Sequence, residues 1–263
     1  MENIKILVAA HKEVELPKSD IYLPVQVGAE VNDIKTEYQK DNEGDNISKE
    51  NPYLCELTGL YWAWKNLDAD YVGLVHYRRY LATSKHKFDP NKKLEDLIVN
   101  KEDLVSLLGE DNIIVPTKRK YYIESLYSHY ANTFDASHLD KTRDILSEMH
   151  PDYVSSFDKV MKRNYGYMFN MFITNKKLAD KYCEWLFPIL FELQKRVSVE
   201  DLTPFEARLF GRVSERLFNV WLDKNNIKVT ELPLYDHFKV DWIKKGSAFL
   251  MAKVFKKKYG KSF

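Results

Sequence analysis

Apolar positions along the chain fall into runs and periods that predict alternating strands and helices. Ile4-Lys5-Ile6-Leu7-Val8-Ala9-Ala10 is short and mostly apolar, and predicts a buried strand with His11 at its C-terminal end. A polar loop follows, then an extended piece from Ile21 to Val27 closed by Gly28. Asp41 to Asn51 is polar and turn-forming. Asn51-Pro52 predicts a helix start, with Asn as cap and Pro in the first helical position. Leu57, Leu60, Tyr61, Trp64 and Leu67 then recur at helical spacing. Tyr71-Val72-Gly73-Leu74-Val75 predicts a second buried strand, which runs directly into His76-Tyr77-Arg78-Arg79-Tyr80.

Further on, the pattern predicts a helix near Leu94 to Leu108, then a short strand from Asn112 to Val115 ended by Pro116. Residues 118–160 are polar and read as irregular to helical. Tyr165 to Thr174 reads as one strand with Asn170 in its middle. Leu178, Tyr182, Trp185, Leu186, Ile189, Leu190 and Leu193 mark a long helix in which Pro188 is a site for a kink. A second helix is expected from about Pro204 to Lys224, and a last strand from Ile227 to Leu232. Strands that alternate with helices favour an α/β fold with a mainly parallel sheet.

Composition narrows the function classes. The 263 residues, 44% of them apolar, suffice for one sizeable core, with or without a smaller subdomain. A net charge of +1 supplies no long-range attraction to nucleic acid. The 17 tyrosines and 5 tryptophans suit half-wet surfaces such as sugar clefts, and also a well-filled core. Cys55 and Cys183 lie within apolar helical patterns, which fits a reduced, cytoplasmic setting better than a disulfide framework. Met1-Glu2-Asn3-Ile4-Lys5 enters the first strand without a signal-peptide pattern. No apolar run approaches the roughly 20 residues that span a bilayer. Neither a Walker-type phosphate loop nor a GxGxxG is present, which disfavours kinases and dehydrogenases.

The densest candidate chemistry is His76, Arg78 and Arg79 at the C-terminal end of a predicted buried strand. In open α/β sheets ligands bind at that end. A guanidinium matches phosphate oxygens and stays charged at any working pH. Fixed arginines can neutralise a departing diphosphate without a metal, and His76 can add a donor. The alternative is a surface turn with solvated arginines. Asp68-Ala69-Asp70 imitates a metal motif, but it precedes the strand and reads as a helix-ending loop, so no metal ligands are assigned. Asp45 and Asn46, in Gly44-Asp45-Asn46-Ile47-Ser48, can fix sugar or base hydroxyls, and equally make ordinary turns. Glu56 lies one turn into the following helix, where the dipole favours a carboxylate without any functional role. Arg208, Arg212, Glu215 and Asn219 line one face of a later helix. Glu215 either pairs with Arg212 or faces a cleft as a base for an acceptor hydroxyl. Asn170 is a buried amide in need of partners, and Tyr165 and Tyr167 beside it suit a sugar-stacking wall. From Lys244 to Phe263 the tail carries seven lysines and no acid, with Phe249, Leu250, Met251, Val254 and Phe255 between them. It reads as a basic amphipathic helix for an anionic membrane surface or as a terminal helix packed on the core.

Several of these stretches together resemble a bacterial family of glycosyltransferase-like proteins of capsular polysaccharide, exopolysaccharide and O-antigen clusters, long catalogued as a domain of unknown function. The matching stretches are Ile6 to Lys12, Ile21 to Ala29, Gly44 to Ser48, Asn51 to Lys65, Gly73 to Tyr80, Asn170 to Ile173 and Ser214 to Leu217. Most distinctive are the His-Tyr-Arg-Arg segment and the Glu-Leu-Thr-x-x-Tyr-Trp-x-Trp-Lys helix. The resemblance implies a single GT-A-like (Rossmann-like) domain over 1–235, with a mainly parallel central sheet and a helical C-terminal part. The basic helical tail over 236–263 lies outside the matched part and is read from its own residues. The resemblance also implies a glycosyltransferase that moves a sugar, galactose or galactofuranose in some relatives, from a UDP-sugar to a lipid-linked glycan acceptor. Together with the reduced setting read from the cysteines, the expectation is an enzyme in the cytoplasm, at the inner face of the cell membrane. On this view His11, Gln26, Asp45 and Asn46 form the nucleotide side, and His76, Arg78 and Arg79 bind the diphosphate. Tyr167 and Asn170 face the acceptor, with Glu215 as base. In the wider GT-A class an Asp-x-Asp follows the strand that here ends in His-Tyr-Arg-Arg. This departure disfavours an obligatory divalent metal. A non-catalytic nucleotide-sugar or glycan-binding subunit is the main rival, and a phosphoryl transferase a further one.

Overall fold

The computed structural model describes residues 2–32, 34–84, 89 and 91–237. In chain order, the first half contains β1 (Ile4–Ala10), β2 (Tyr22–Gln26), β3 (Gln39–Lys40), α1 (Asn51–Leu54), α2 (Leu57–Asn66), β4 (Tyr71–His76), β5 (Arg79–Leu81), α3 (Lys101–Leu107), β6 (Asn112–Pro116), β7 (Arg119–Lys120) and α4 (Leu126–Ala131). The second half contains α5 (Ser137–Met149), α6 (Val154–Met161), β8 (Tyr165–Gly166), β9 (Phe172–Asn175), α7 (Lys176–Arg196), α8 (Leu209–Lys224), β10 (Lys228–Leu232) and β11 (Leu234–Asp236). Among the described residues no helix is long and apolar enough to cross a membrane.

The main sheet has the order β10-β6-β9-β4-β1-β2-β3. β1 lies parallel to both β2 and β4, and β6 parallel to β10. The sheet is mixed because β9 runs antiparallel between β4 and β6. Since β4 and β6 both oppose β9, they point the same way, and β1, β4 and β6 all end on one edge. The result is the α/β, GT-A-like fold the sequence led us to expect.

Period-two alternation sends successive β1 side chains to two cores. Leu7 and Ala9 pack with α2, α7 and α8, whereas Ile6 and Val8 pack with Tyr22, Tyr80, Leu97 and Leu104. With both faces covered, β1 reads as a nearly continuous apolar run. Gly73 in β4 is needed for close packing, because a Cβ there would lie 2.8 Å from Ile173.

Several predicted elements are interrupted. The helix expected from Asn51 splits at Cys55, whose φ is 56°. Asn51 is not its cap: its amide donates to the Cys55 carbonyl at 2.8 Å and to Thr58 Oγ1 at 3.1 Å, bridging the break. Cys55 therefore sits at a helix junction rather than inside a helix. The helix expected over 94–108 is a 3₁₀ turn followed by α3, which starts afresh from an Asn100–Asp103 capping box. Tyr165–Thr174 is not one strand, because Phe169 and Asn170 have φ of 78° and 53°. β8 pairs with β7, outside the main sheet, and β9 enters the sheet centre. α8 begins at Leu209, after a turn over 204–208. α7 continues through Pro188. β11 carries the sheet to Asp236, one residue past the expected domain boundary. The tail helix expected beyond it lies outside the described residues from 238 onward.

Candidate functional site

A cavity of about 730 Å³ opens at the C-terminal ends of β1 and β4. This is where the chain leaves β1 for β2 on one side and later adds β4 on the other, the crevice where ligands bind in open α/β sheets. The volume suits a small organic ligand, since such sites run to roughly 300–1,000 Å³. His11 follows β1, His76 ends β4, and Tyr77-Arg78 form the turn into β5. Asn51, Cys55 and Glu56 come from the α1–α2 junction, and Ala207 and Arg208 from the turn before α8.

The walls are cationic. His11 is held below its ordinary 6.5 by the crowding of protein around its ring, with the charges of Lys12, Arg208 and Arg78 adding to the effect. Tyr77 packs edge-on against the His11 ring, with centroids 5.2 Å apart. Arg208 Nε donates to Cys55 Sγ at 3.1 Å, which fixes the guanidinium over the α1–α2 junction. His76 Nε2 lies 2.6 Å from the Phe169 carbonyl oxygen. A carbonyl only accepts, so Nε2 carries the proton and Nδ1 is left to receive or donate elsewhere.

Among the described residues the cavity lining contains one carboxylate, Glu56. Its Oε1 accepts from Asn170 Nδ2 at 2.7 Å. Asn170 is buried, donates also to the Gly211 carbonyl, and accepts from Ser214 Oγ at 2.8 Å. Its amide is thus committed to locking Glu56 to α8, and it stands behind the cavity wall.

The other expected site residues fall elsewhere. Arg79, adjacent in sequence to Arg78, belongs to β5 and is not part of the cavity lining. Its Nε meets Asp236 Oδ1 at 3.2 Å, and its guanidinium stacks 4.6 Å from the Phe169 ring centre. Gln26 is buried and donates to the Asn32 carbonyl at 2.7 Å, and Asn32 in turn lines the cavity and donates to the His11 carbonyl. Gln26 therefore supports the wall from behind. Asp45 is tied to the end of α2 through Asn66 and Tyr61. Asn46 closes its own turn on Asn42, Gly44 and Ser48. Tyr167 donates to Glu231 Oε1 at 2.9 Å. Glu215 accepts from the Phe169 N–H at 3.0 Å and from Arg216 at 3.1 Å. None of these residues, nor Asn170, lines the cavity. Asp68 and Asp70 lie before β4, on the opposite sheet edge, where Asp70 accepts the Asn3 N–H at 2.7 Å.

Sequence patterning missed that Glu56 and Arg208 line the same cavity. Thr203-Pro204-Phe205-Glu206 carried one usable signal. It has the Ser/Thr-x-x-Glu form of a capping box, and Thr203 and Glu206 do bond reciprocally. That marks a turn start before Arg208. Buried Asp41 was also missed. It accepts the N–H groups of Gly28 and Ala29 at 2.8 and 3.0 Å and shapes the loop after β2. Gly28 itself has φ of 71°, and a Cβ there would stand 2.5 Å from Asn51 Oδ1.

The domain so defined is α/β with a GT-A-like fold and a large basic cavity at the carboxyl edge of its sheet. A family model described as a domain of unknown function, DUF4422, matches residues 5–226, and the chain belongs to that family. It is also similar to the apo structure of WbbM, a bifunctional glycosyltransferase, with a TM-score of 0.80 and 29% identity over 90% of this chain and 46% of that one. The chain thus spans under half the length of that structure. Comparison with curated proteins found no match.

Proposed function

We propose that the chain is a glycosyltransferase that moves a hexose from a UDP-sugar to a lipid-linked glycan acceptor. The observation that carries this is the grouping of Arg78 and Arg208 with His11 around one cavity whose described lining holds a single carboxylate, Glu56. Similarity to a bifunctional glycosyltransferase supports the reaction class. The family resemblance supports the galactose-type donor and the polysaccharide setting, and the cysteine usage supports the cytoplasmic face.

In the proposed reaction Arg78 and Arg208 hold the diphosphate. The acceptor oxygen bonds to the anomeric carbon as the bond from that carbon to the phosphate oxygen breaks. The departing UDP takes the electron pair, and the guanidinium groups offset the charge that grows there. Glu56 takes the acceptor proton, a contribution of roughly 10²–10⁴-fold for a placed general base. Asn170 orients Glu56, and His76 presents its Nδ1 side. This assigns the base to Glu56 rather than Glu215, whose two oxygens are engaged by Phe169 and Arg216. A divalent cation takes several oxygen ligands. The described lining offers one carboxylate among cations, a donor set that does not fit a catalytic metal.

The test is a thermal-shift screen of UDP-sugars with and without chelator, followed by UDP release with the stabilising donor. Saturating donor at 100 times Kd should stabilise by about 2.7 kcal/mol. Glu56→Gln should keep that shift and lose turnover. Failure of every UDP-sugar to shift the parent would sink the proposal. Binding without any UDP release would favour a non-catalytic sugar-nucleotide subunit.

A further inference from the structure

The chain that leaves β6 reads Lys118-Arg119-Lys120-Tyr121-Tyr122-Ile123. Tyr122 is 79% and Ile123 74% exposed, the most exposed large apolar side chains among the described residues. They are not loose ends. Ile123 N–H donates to the Tyr121 carbonyl at 2.7 Å across a tight turn in which Tyr122 has φ of 58°. Asn164 grips both sides of this turn: its carbonyl accepts from Tyr121 N–H at 2.7 Å, and its amide donates to the Tyr122 carbonyl at 3.3 Å. A bulky residue in the left-handed region is strained. Here that strain holds two apolar side chains out in water instead of packing them on the core. A strained turn braced so that it keeps apolar side chains in water points to use by a partner.

The surroundings indicate which partner. Arg119 and Lys120 are exposed and have no acidic side chain within ion-pair reach among the described residues. Tyr165, 38% exposed, faces Lys120 across the β7–β8 ladder. Cations flanking an aromatic and aliphatic tip match an anionic bilayer, whose headgroups attract the charges while the boundary below them takes the rings and the isoleucine. A protein groove would need a complementary acidic rim, and a nucleic acid would have no use for Ile123.

We infer that the 119–123 tip docks the protein on an anionic phospholipid surface. β6 ends on the same sheet edge as β1 and β4, so docking turns the cavity edge toward the bilayer. The inference is independent of the proposed sugar transfer and of the tail beyond 237.

The experiment uses the full chain and extruded vesicles of phosphatidylcholine, with and without phosphatidylglycerol. The parent should co-sediment with the anionic vesicles. Arg119→Glu with Lys120→Glu, and separately Tyr122→Ser with Ile123→Ser, should each weaken that binding by tenfold or more, by removing attraction or insertion respectively. UDP-induced thermal shifts should be unchanged in both, which separates this outcome from failure of the cavity assignment. A Tyr122→Trp variant supplies a positive readout, because the emission of the new indole should shift to the blue and be quenched by brominated lipid. Parental binding by both double variants, no vesicle binding by the parent, or an indole emission indifferent to lipid would each overturn the inference.

Discussion

The Glu215 carboxylate accepts the backbone N–H of Phe169 at 3.0 Å, and by this bond α8 pins the bend between β8 and β9. His76 holds the other side of the same residue through its carbonyl. Phe169 thus stays in the left-handed region, which costs an ordinary residue about 1–2 kcal/mol. The bend is what ends β8, starts β9 and swings Asn170 toward Glu56.

Glu215 also pairs with Arg216, and the two side chains are only 12% and 5% exposed. Removing one partner of such a pair leaves a buried charge. Glu215→Ala should therefore cost about 3–5 kcal/mol in urea unfolding. Glu215→Gln keeps an acceptor for the Phe169 N–H and should cost less. A Glu215→Gln protein as stable as the parent, with donor binding intact and turnover lost, would instead show Glu215 acting on substrate.

Arg78 and Arg79 should part in their phenotypes. Loss of Arg78 removes a charge-assisted contact to phosphate, so Arg78→Ala should weaken UDP binding by roughly 10- to 100-fold in calorimetric titration. Arg79 is partly buried against Asp236, which joins β5 to β11. Arg79→Ala should lower stability by about 1–3 kcal/mol, between the surface and buried limits, with UDP affinity nearly unchanged. Equal loss of UDP affinity in both variants would contradict the geometry.

His11 reports on the cavity charge. Its folded pKa lies below the unfolded 6.5, so the unfolded state binds more protons between the two values. The stability it contributes is present above pH 6.5 and is lost as pH falls through the folded pKa. His129 and His138 are likewise lowered by burial and act in the same direction. Imidazole titration by NMR should show the His11 pKa rising in Arg208→Ala, because one repelling cation is gone. It should also rise with UDP bound, because phosphate favours the imidazolium. A His11 pKa indifferent to UDP would place the nucleotide away from this cavity.

What the sequence determined by itself lies in local pattern. The apolar runs of β1 and β4, the periodicity of α2 and α7, and the cationic segment at the carboxyl end of β4 were all legible, because neighbouring residues alone set burial and period. Tertiary structure decided which of two adjacent arginines meets the cavity. A turn at Tyr77-Arg78 and a distant carboxylate, Asp236, drew Arg79 away. It also decided that Glu56 and Arg208 share one cavity and that Glu215 serves the backbone. Those outcomes depend on partners far away in the chain. No short-range pattern encodes the direction of a side chain whose nearest neighbours arrive only when the sheet closes.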